Sequence, residues 1–161
     1  MTLAIQNDAQ LSLPSDLEIV IVRDFEAPRA LVFDAWTKAE HMRRWYSMCH
    51  FTLTVCDIDC RVGGAYRIVF HEAERATDHA LSGEFSQVER PSRLTFTERY
   101  ELMPGSDHVI ALTFEDRGSG VTRLEQRMTY PSKQVRDGHL ASGFETATAE
   151  SLRSLERFLS A

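Results

Sequence analysis

The chain has 161 residues, of which 43% are hydrophobic and 26% are charged, and these proportions are typical of one globular domain with a full core. A net charge of −6 and a pI near 5.5 argue against nucleic acid or an anionic membrane as the main partner, because both bind basic surfaces. No apolar run approaches the ~20 residues of a membrane span, and the first residues lack the basic and apolar regions of a signal peptide, so we expect a cytoplasmic protein.

The first half of the chain predicts one strand followed by two short helices. Residues 1–16 have mixed composition and are expected to form a loose leader, which leaves 17–161 as a single domain. The stretch 17–25 alternates and is rich in β-branched residues, as strands are. Short apolar stripes around Val32 and Met42 then indicate two helices.

Turn residues divide the middle of the chain into further strands. Double glycine at 63–64 and Gly83 indicate bends, and the polar stretch 71–79 is expected to be a hairpin loop. The predicted strands are 51–56, 65–70, 80–88, 94–101, 109–115 and 121–130. Because consecutive strands are joined by hairpins, we expect an antiparallel sheet of six to seven strands in an α+β fold.

The last stretch predicts a long amphipathic helix from about Val135 to Leu159, with Ser132 able to cap its start. Its apolar stripe is bulky from Leu152 onward, but its first half is mostly small, with Phe144 the one large side chain after Leu140. Small side chains leave space beneath a helix, so either a ligand lies there or large sheet residues fill the gap.

Cysteine use predicts neither disulfides nor a metal site. The three cysteines, Cys49, Cys56 and Cys60, are an odd number, and their spacing with His50 fits no zinc pattern. No nucleophile motif or phosphate loop is present either. We therefore expect no metal and no cofactor.

Strand alternation predicts the side chains that face the last helix. With Phe144, they form either the wall of an apolar cavity with a few polar groups or a filled core. Leu140 would line the same space from the last helix, and Trp45 and Tyr46 could form one lip of an opening. The predicted site residues on these strands are Tyr66, Ile68, Phe70, Phe96, Glu98, Leu112, Phe114, Leu124, Gln126 and Met128, and Leu94, Tyr100, Ile110 and Thr122 share the same faces.

Two titratable residues are candidate acid–base groups. Glu98 would point inward among hydrophobic residues, where a carboxylate needs a partner or a raised pKa. The alternatives are a bulge that turns Glu98 to solvent, or an ion pair with Arg67 or Arg123. His139 would lie near the start of the last helix, either facing the cavity opening or in solvent.

The ordered set of motifs resembles the START-like (SRPBCC) helix-grip superfamily and, within it, the family homologous to the activator of the heat-shock-protein-90 ATPase. The resembling segments are 25–29, 32–37, 40–45, 59–64, 83–85, 91–94, 136–139 and 142–144. The resemblance covers about residues 17–160. It implies a curved antiparallel sheet wrapped around a long C-terminal helix, with two short helices after the first strand.

This chain departs from the family pattern near the opening that the resemblance implies. The family commonly has tryptophan where this chain has Tyr46 or Phe144, and a Gly-Pro pair at Ser47-Met48. We therefore expect the fold to follow the family and the cavity shape to differ.

Three functional hypotheses follow. The first is a binding domain for a small apolar or amphipathic molecule, oriented by Glu98, Gln126 and Tyr66. The second is a cyclase or hydrolase that uses the same cavity, with Glu98 or His139 as acid or base. The third, by resemblance alone, is a regulatory module that interacts with a chaperone. Exposed edge strands make a homodimer plausible.

Overall fold

The structure, a computed structural model, describes residues 2–4, 9–48 and 50–161, and their side chains from residue 9 onward. Its first elements are strands β1 (Thr2–Ala4), β2 (Gln10–Ser12) and β3 (Glu18–Phe25), then helices α1 (Arg29–Thr37) and α2 (Ala39–Trp45). The chain continues with β4 (Thr52–Ile58), β5 (Ala65–Glu72), β6 (Thr77–Glu89), β7 (Arg93–Tyr100), β8 (His108–Gly118) and β9 (Val121–Thr129). It ends with α3 (Lys133–Leu140) and α4 (Phe144–Ser160).

The strands form one curved antiparallel sheet in the order β1-β2-β3-β9-β8-β7-β6-β5-β4. Strands β4 to β9 follow one another as a meander, as their hairpin turns predict, and β3 joins β9 through the pairing of Ile21 with Gln126. The α+β class and the antiparallel sheet are therefore confirmed.

The predicted number of six to seven strands is wrong, because the described residues contain nine. The seven strands from residue 17 onward were predicted, and two three-residue strands precede them. In β2, Leu11 pairs with Ile21 and is 1% exposed. Apolar burial thus holds this part of the segment that was expected to be a loose leader.

The polar stretch 71–79 is not a long loop. Strand β5 continues to Glu72 and β6 begins at Thr77, so only residues 73–76 connect them. His71 pairs with Asp78, and Phe70 pairs with His79. Backbone pairing has extended both strands through polar residues that sequence composition assigned to a turn.

The C-terminal helix is interrupted, whereas one helix from Val135 to Leu159 was predicted. Ser132 caps α3 as expected, since its hydroxyl accepts a hydrogen bond from the Val135 N–H at 3.2 Å. The helix is then interrupted at residues 141–143, where Gly143 has a left-handed φ of 81° and Ser142 Oγ donates to the His139 carbonyl at 2.6 Å. Glycine adopts this conformation without a Cβ clash, and α4 begins directly after it, at Phe144.

The core lies between the sheet, α1, α2 and the second half of α4. Leu152 and Leu155 of α4 are at most 1% exposed, and Phe33 of α1 packs edge-on against Phe114 at 5.2 Å. Buried Arg23 of β3 donates to the Leu152 carbonyl and to Glu156, both at 2.6 Å. The bulky half of α4 is therefore fixed to the sheet.

No helix in the described part of the chain is long and apolar enough to cross a bilayer. The sheet has β4 at one edge and β1 at the other. The homodimer expected from exposed edges stays a prediction.

Candidate functional site

A cavity of about 660 Å³ lies between the sheet, α3 and the first half of α4. Ala147, Thr148 and Ser151 of α4 face it, so the space lies beneath the small-residue part of that helix. Exposed residues of the β7–β8 loop, including Met103, and of the α3–α4 junction mark its opening. Much of its wall is apolar: Ile68, Leu81, Phe85, Leu94, Phe96, Ile110, Met128 and Phe144.

A second depression of about 990 Å³ is lined largely by polar and charged residues of β4 to β7. Its three arginines already have partners: Arg67 binds Glu101 at 3.0 Å, Arg99 binds Asp107 at 2.7 Å, and Arg43 donates to the Cys56 carbonyl at 3.0 Å. We therefore assign the candidate site to the inner cavity.

Several polar side chains on the cavity wall have no hydrogen-bond partner among the described residues. They include the Tyr46 hydroxyl, the Gln126 amide and the buried Trp36 indole N–H. The Glu98 carboxylate on the same wall has one short polar contact, to His108 Nε2 at 3.3 Å. Gln126 is only 8% exposed. Buried polar groups are normally paired, so Tyr46 and Gln126 are available to a molecule in the cavity, and a carboxylate such as Glu98 can accept further hydrogen bonds beside its contact with His108.

The environment of Glu98 decides between the alternatives considered for it. Arg67 and Arg123 are paired with Glu101 and Asp24 respectively, so neither pairs with Glu98. The Glu98 side chain is 15% exposed and lines the cavity. Burial raises the pKa of the Tyr46 and Tyr66 hydroxyls, and the nearby Glu98 carboxylate raises both further.

Glu98 begins a polar cluster that crosses from the sheet to α3. His108 faces it from β8, stacks on Tyr130 at 4.7 Å and lies 5.2 Å from the His139 ring. The Tyr130 hydroxyl hydrogen-bonds to His139 Nδ1. The cluster therefore places two imidazoles beside one carboxylate on the cavity wall.

The two imidazoles of this cluster have opposite pKa shifts. Burial alone would lower the pKa of His108, but the Glu98 carboxylate outweighs it and raises that pKa. Burial and then the neighbouring His108 lower the pKa of His139 to about 4. Near neutral pH, His139 is therefore a neutral group, whereas the Glu98 carboxylate favours the charged form of His108.

Most of the predicted site residues lie on the cavity wall, whereas six do not. On the wall are Tyr46, Tyr66, Ile68, Phe96, Glu98, Gln126, Met128, His139 and Phe144. The other six pack in the core or against it: Trp45, Phe70, Leu112, Phe114, Leu124 and Leu140.

For the four of these residues that lie on strands, the physical reason is position along the strand. Alternation predicts which face a side chain takes, but not how far along the strand the cavity extends. Phe114 lies beneath α1 rather than beneath α4, as its contact with Phe33 shows. Trp45 is not a lip of the opening, because its indole N–H donates to the Ala35 carbonyl at 2.8 Å and its side chain is 1% exposed.

Sequence analysis missed His108, Tyr130 and His79, all of which line the cavity. Their signal was strand parity, continued to or beyond the predicted ends of the strands. His108 continues the series of Ile110 by two residues, and Tyr130 continues that of Met128.

The cysteines form no site in the described residues. Cys56 and Cys60 are free, and burial raises the pKa of both thiols. Cys49 lies outside the described residues. Within the described chain, no three histidine, cysteine or acidic side chains converge as metal ligands would.

Comparisons with solved structures agree with this architecture. A Rhodobacter sphaeroides protein is 25% identical over 96% of this chain and 99% of its own, with a TM-score of 0.89. A Staphylococcus epidermidis protein is 25% identical over 93% of each chain, with a TM-score of 0.78. A Mycobacterium smegmatis protein, at 20% identity and a TM-score of 0.81, shares the fold.

Family comparison agrees with the resemblance found in the sequence. No match is found among curated proteins. Residues 26–160 match the family described as Activator of Hsp90 ATPase homolog 1-like protein, and the structural neighbours are helix-grip proteins. The positions at which this chain departs from the family pattern, from Tyr46 to Met48 and Phe144, all line the cavity. The chain therefore belongs to the Activator of Hsp90 ATPase homolog 1-like family.

Proposed function

We propose that this protein binds a small amphipathic molecule between the sheet, α3 and the first half of α4. One observation carries the proposal: an apolar wall surrounds the Tyr46 hydroxyl and the Gln126 amide, which lack hydrogen-bond partners among the described residues, and the Glu98 carboxylate, whose one short polar contact is His108. A volume of about 660 Å³ is within the usual range of small-molecule sites.

The wall suggests how the molecule would be held. Its apolar part would lie against Phe85, Phe96 and Phe144, where burial contributes ~25 cal/mol per Å² before the costs of binding. Its polar end would pair with Glu98 and Gln126. The Tyr66 hydroxyl already donates to the Thr97 carbonyl at 2.8 Å, so its predicted orienting role passes to Tyr46.

The first test is native mass spectrometry of the protein as purified, which would detect a molecule that travels with it. Titration with the apolar fluorophore anilinonaphthalene sulfonate then measures access to the cavity. Ala147→Trp fills the cavity from α4, and we expect it to weaken binding of the fluorophore by at least about tenfold.

Thr146→Trp is the matched control, because Thr146 is exposed on the adjacent position of the same helix and does not line the cavity. We expect it to leave fluorophore binding unchanged. Equal binding by the wild type and both variants would refute the proposal.

A second candidate function is acid–base catalysis in the same cavity, of cyclase or hydrolase type. The observation in its favour is the contact of 3.3 Å between Glu98 Oε1 and His108 Nε2 on the wall. If the cavity is catalytic, incubation with the wild type converts a bound molecule into a product that differs in mass or in retention time on liquid chromatography, and Glu98→Gln slows the conversion. An unchanged mass and retention time with both proteins excludes this function.

The family description adds a third candidate, an effect on a chaperone ATPase. It predicts faster ATP turnover by Hsp90 on addition of this protein. Because the cavity is not needed for that effect, Ala147→Trp would leave the turnover unchanged.

A further inference from the structure

A second polar cluster reaches the cavity wall near Glu98. Strands β5, β6 and β7 each contribute one side chain: Glu72, His79 and Tyr100. Glu98 and Tyr100 are two residues apart in β7, so they lie on the same face of the strand, about 7 Å apart. His79 and Tyr100 both line the cavity.

These three side chains form a continuous hydrogen-bonded chain that ends at the cavity. Glu72 Oε2 lies 2.7 Å from His79 Nε2, and His79 Nδ1 lies 2.5 Å from the Tyr100 hydroxyl. The Glu72 side chain is only 9% exposed, and the Arg75 guanidinium lies 3.5 Å from its other oxygen. A carboxylate held in this way orients the imidazole, with Nε2 as the donor to Glu72 and Nδ1 free to accept a proton.

The aromatic rings of this cluster are stacked nearly parallel to one another. Phe51 stacks on His79 at 4.8 Å, and the His79 and Tyr100 rings are nearly parallel at 5.9 Å. Further aromatic side chains, including Phe85 and Phe96, face the same cavity. Such surfaces favour a planar, unsaturated ligand over a branched aliphatic one.

We propose that Glu72, His79 and Tyr100 form a proton-accepting subsite for a planar molecule that carries a weakly acidic hydroxyl group, a phenol or an enol. This inference rests on the proposed function, because the molecule must occupy the cavity. In the transfer, the ligand O–H bond breaks and its proton moves to the Tyr100 oxygen. The original phenol proton of Tyr100 moves to His79 Nδ1, so the products are a ligand oxyanion, neutral Tyr100 and an imidazolium paired with Glu72.

The charges of the subsite favour this direction. The imidazolium formed on His79 lies 2.7 Å from the buried Glu72 carboxylate, which stabilises it. The Tyr100 hydroxyl, having received the ligand proton, donates back to the oxyanion. Burial, and then the nearby Glu72 carboxylate, raise the pKa of Tyr100, so Tyr100 passes a proton on rather than keeping a negative charge. Glu72 acts as a positioning residue, since it does not line the cavity.

Nitrophenol is a suitable probe, because its phenol and phenolate forms absorb at different wavelengths. With the wild type, we expect the bound probe to ionise at a pH about one unit or more below its solution pKa. Tyr100→Phe and His79→Asn should abolish this shift, and Glu72→Gln should reduce it.

His71→Asn is the matched control. His71 is the neighbouring residue of Glu72 in β5, has the same kind of contact with a carboxylate, 2.7 Å to Asp78, and is half exposed. It does not line the cavity, so the shift should persist. Thermal melting checks that each variant is folded. If Tyr100→Phe does not fold, the comparison of His79→Asn and Glu72→Gln with the wild type decides the test.

The outcomes separate this inference from the proposed function. Nitrophenol that binds without ionising, or that still ionises in His79→Asn, overturns the proton-accepting subsite while cavity binding stands. The same holds if nitrophenol does not bind but anilinonaphthalene sulfonate does. If neither probe binds, the proposed function fails as well.

Discussion

At position 83, the backbone of β7 occupies the space that a side chain would need. A Cβ on Gly83 would lie 1.9 Å from the Thr97 carbonyl oxygen, which also accepts the Tyr66 hydroxyl hydrogen bond. The sequence indicated a bend at Gly83, but the irregularity in the pairing of β6 with β7 lies further along, between Phe85 and Gln87. Glycine at this position serves close approach of two strands beside the cavity.

We expect Gly83→Ala to destabilise the protein by roughly 1–3 kcal/mol, because two backbone segments must separate. Gly138→Ala is the control, since Gly138 lies within α3 and a Cβ there meets no atom within 4 Å. Alanine in a helix is expected to add up to about 1 kcal/mol of stability. Urea unfolding measures both, and a neutral Gly83→Ala would contradict the close contact.

His139 should make stability depend on pH. Its pKa is lowered to about 4 in the folded protein from 6.5, so between these values the unfolded chain binds a proton that the folded chain does not. The free energy of unfolding should therefore fall as the pH falls from 6.5 to 4, by at most roughly 3 kcal/mol. His108 acts in the opposite direction at higher pH, where its stabilisation is lost as the pH rises through its raised pKa.

The check is thermal melting across this pH range for the wild type and for His139→Gln. The melting temperature of the variant should depend much less on pH than that of the wild type between pH 4 and 6.5, the two pKa values of His139. His71→Gln, a change at an exposed histidine, should keep it. An unchanged pH dependence in His139→Gln would show that other groups cause the loss of stability at low pH.

At the scale of elements, one buried arginine joins the C-terminal helix to the sheet. Arg23 is 5% exposed, its guanidinium lies 4.8 Å over the Phe25 ring, and it donates to the Leu152 carbonyl within α4. Its partner Glu156 is 56% exposed, so solvent weakens that ion pair. The bond to the buried carbonyl is therefore the larger contribution.

We expect Arg23→Met to cost about 2 kcal/mol, the usual size for a lost hydrogen bond from a charged donor. Arg123→Met is the matched control, because Arg123 pairs with Asp24 on the outward face, where both side chains are more than a third exposed. That change should cost less than about 1 kcal/mol. Equal losses in urea unfolding would contradict the anchoring role of Arg23.

The elements also show what the sequence could predict. Apolar alternation located the seven strands from residue 17 onward, because burial of one face imposes a period of two. It failed where polar residues continue a strand: Glu72 and His79 look like loop residues, yet backbone pairing and their mutual hydrogen bond keep them in β5 and β6. The break at Gly143 was also missed, since the apolar period continues across it.

At the scale of the molecule, the sheet divides into a filled half beneath α1 and the second part of α4, and a cavity beneath the first part of α4. The alternation of side chains along the strands predicted which faces point inward, but this alternation is the same whether the inward side chains fill a core or line a cavity. The three-dimensional position of the helices decides between them. Phe114 and Phe144, both predicted at the site, lie on opposite sides of this division.

This pair tests the division directly. Phe114 is 1% exposed in the core, so we expect Phe114→Ala to cost 3–5 kcal/mol, the usual range for a buried phenylalanine. Phe144 is half-buried on the cavity wall, 4.3 Å from the His139 ring, and its loss should cost only about 1 kcal/mol.

Binding should show the reverse order. Phe144→Ala should change the affinity for anilinonaphthalene sulfonate, because it removes part of the cavity wall. Phe114→Ala, measured below its lowered melting temperature, should bind the fluorophore as the wild type does. A loss of ~3 kcal/mol or more in Phe144→Ala without a change in binding would instead assign Phe144 to the core, because truncation of a core phenylalanine costs that much.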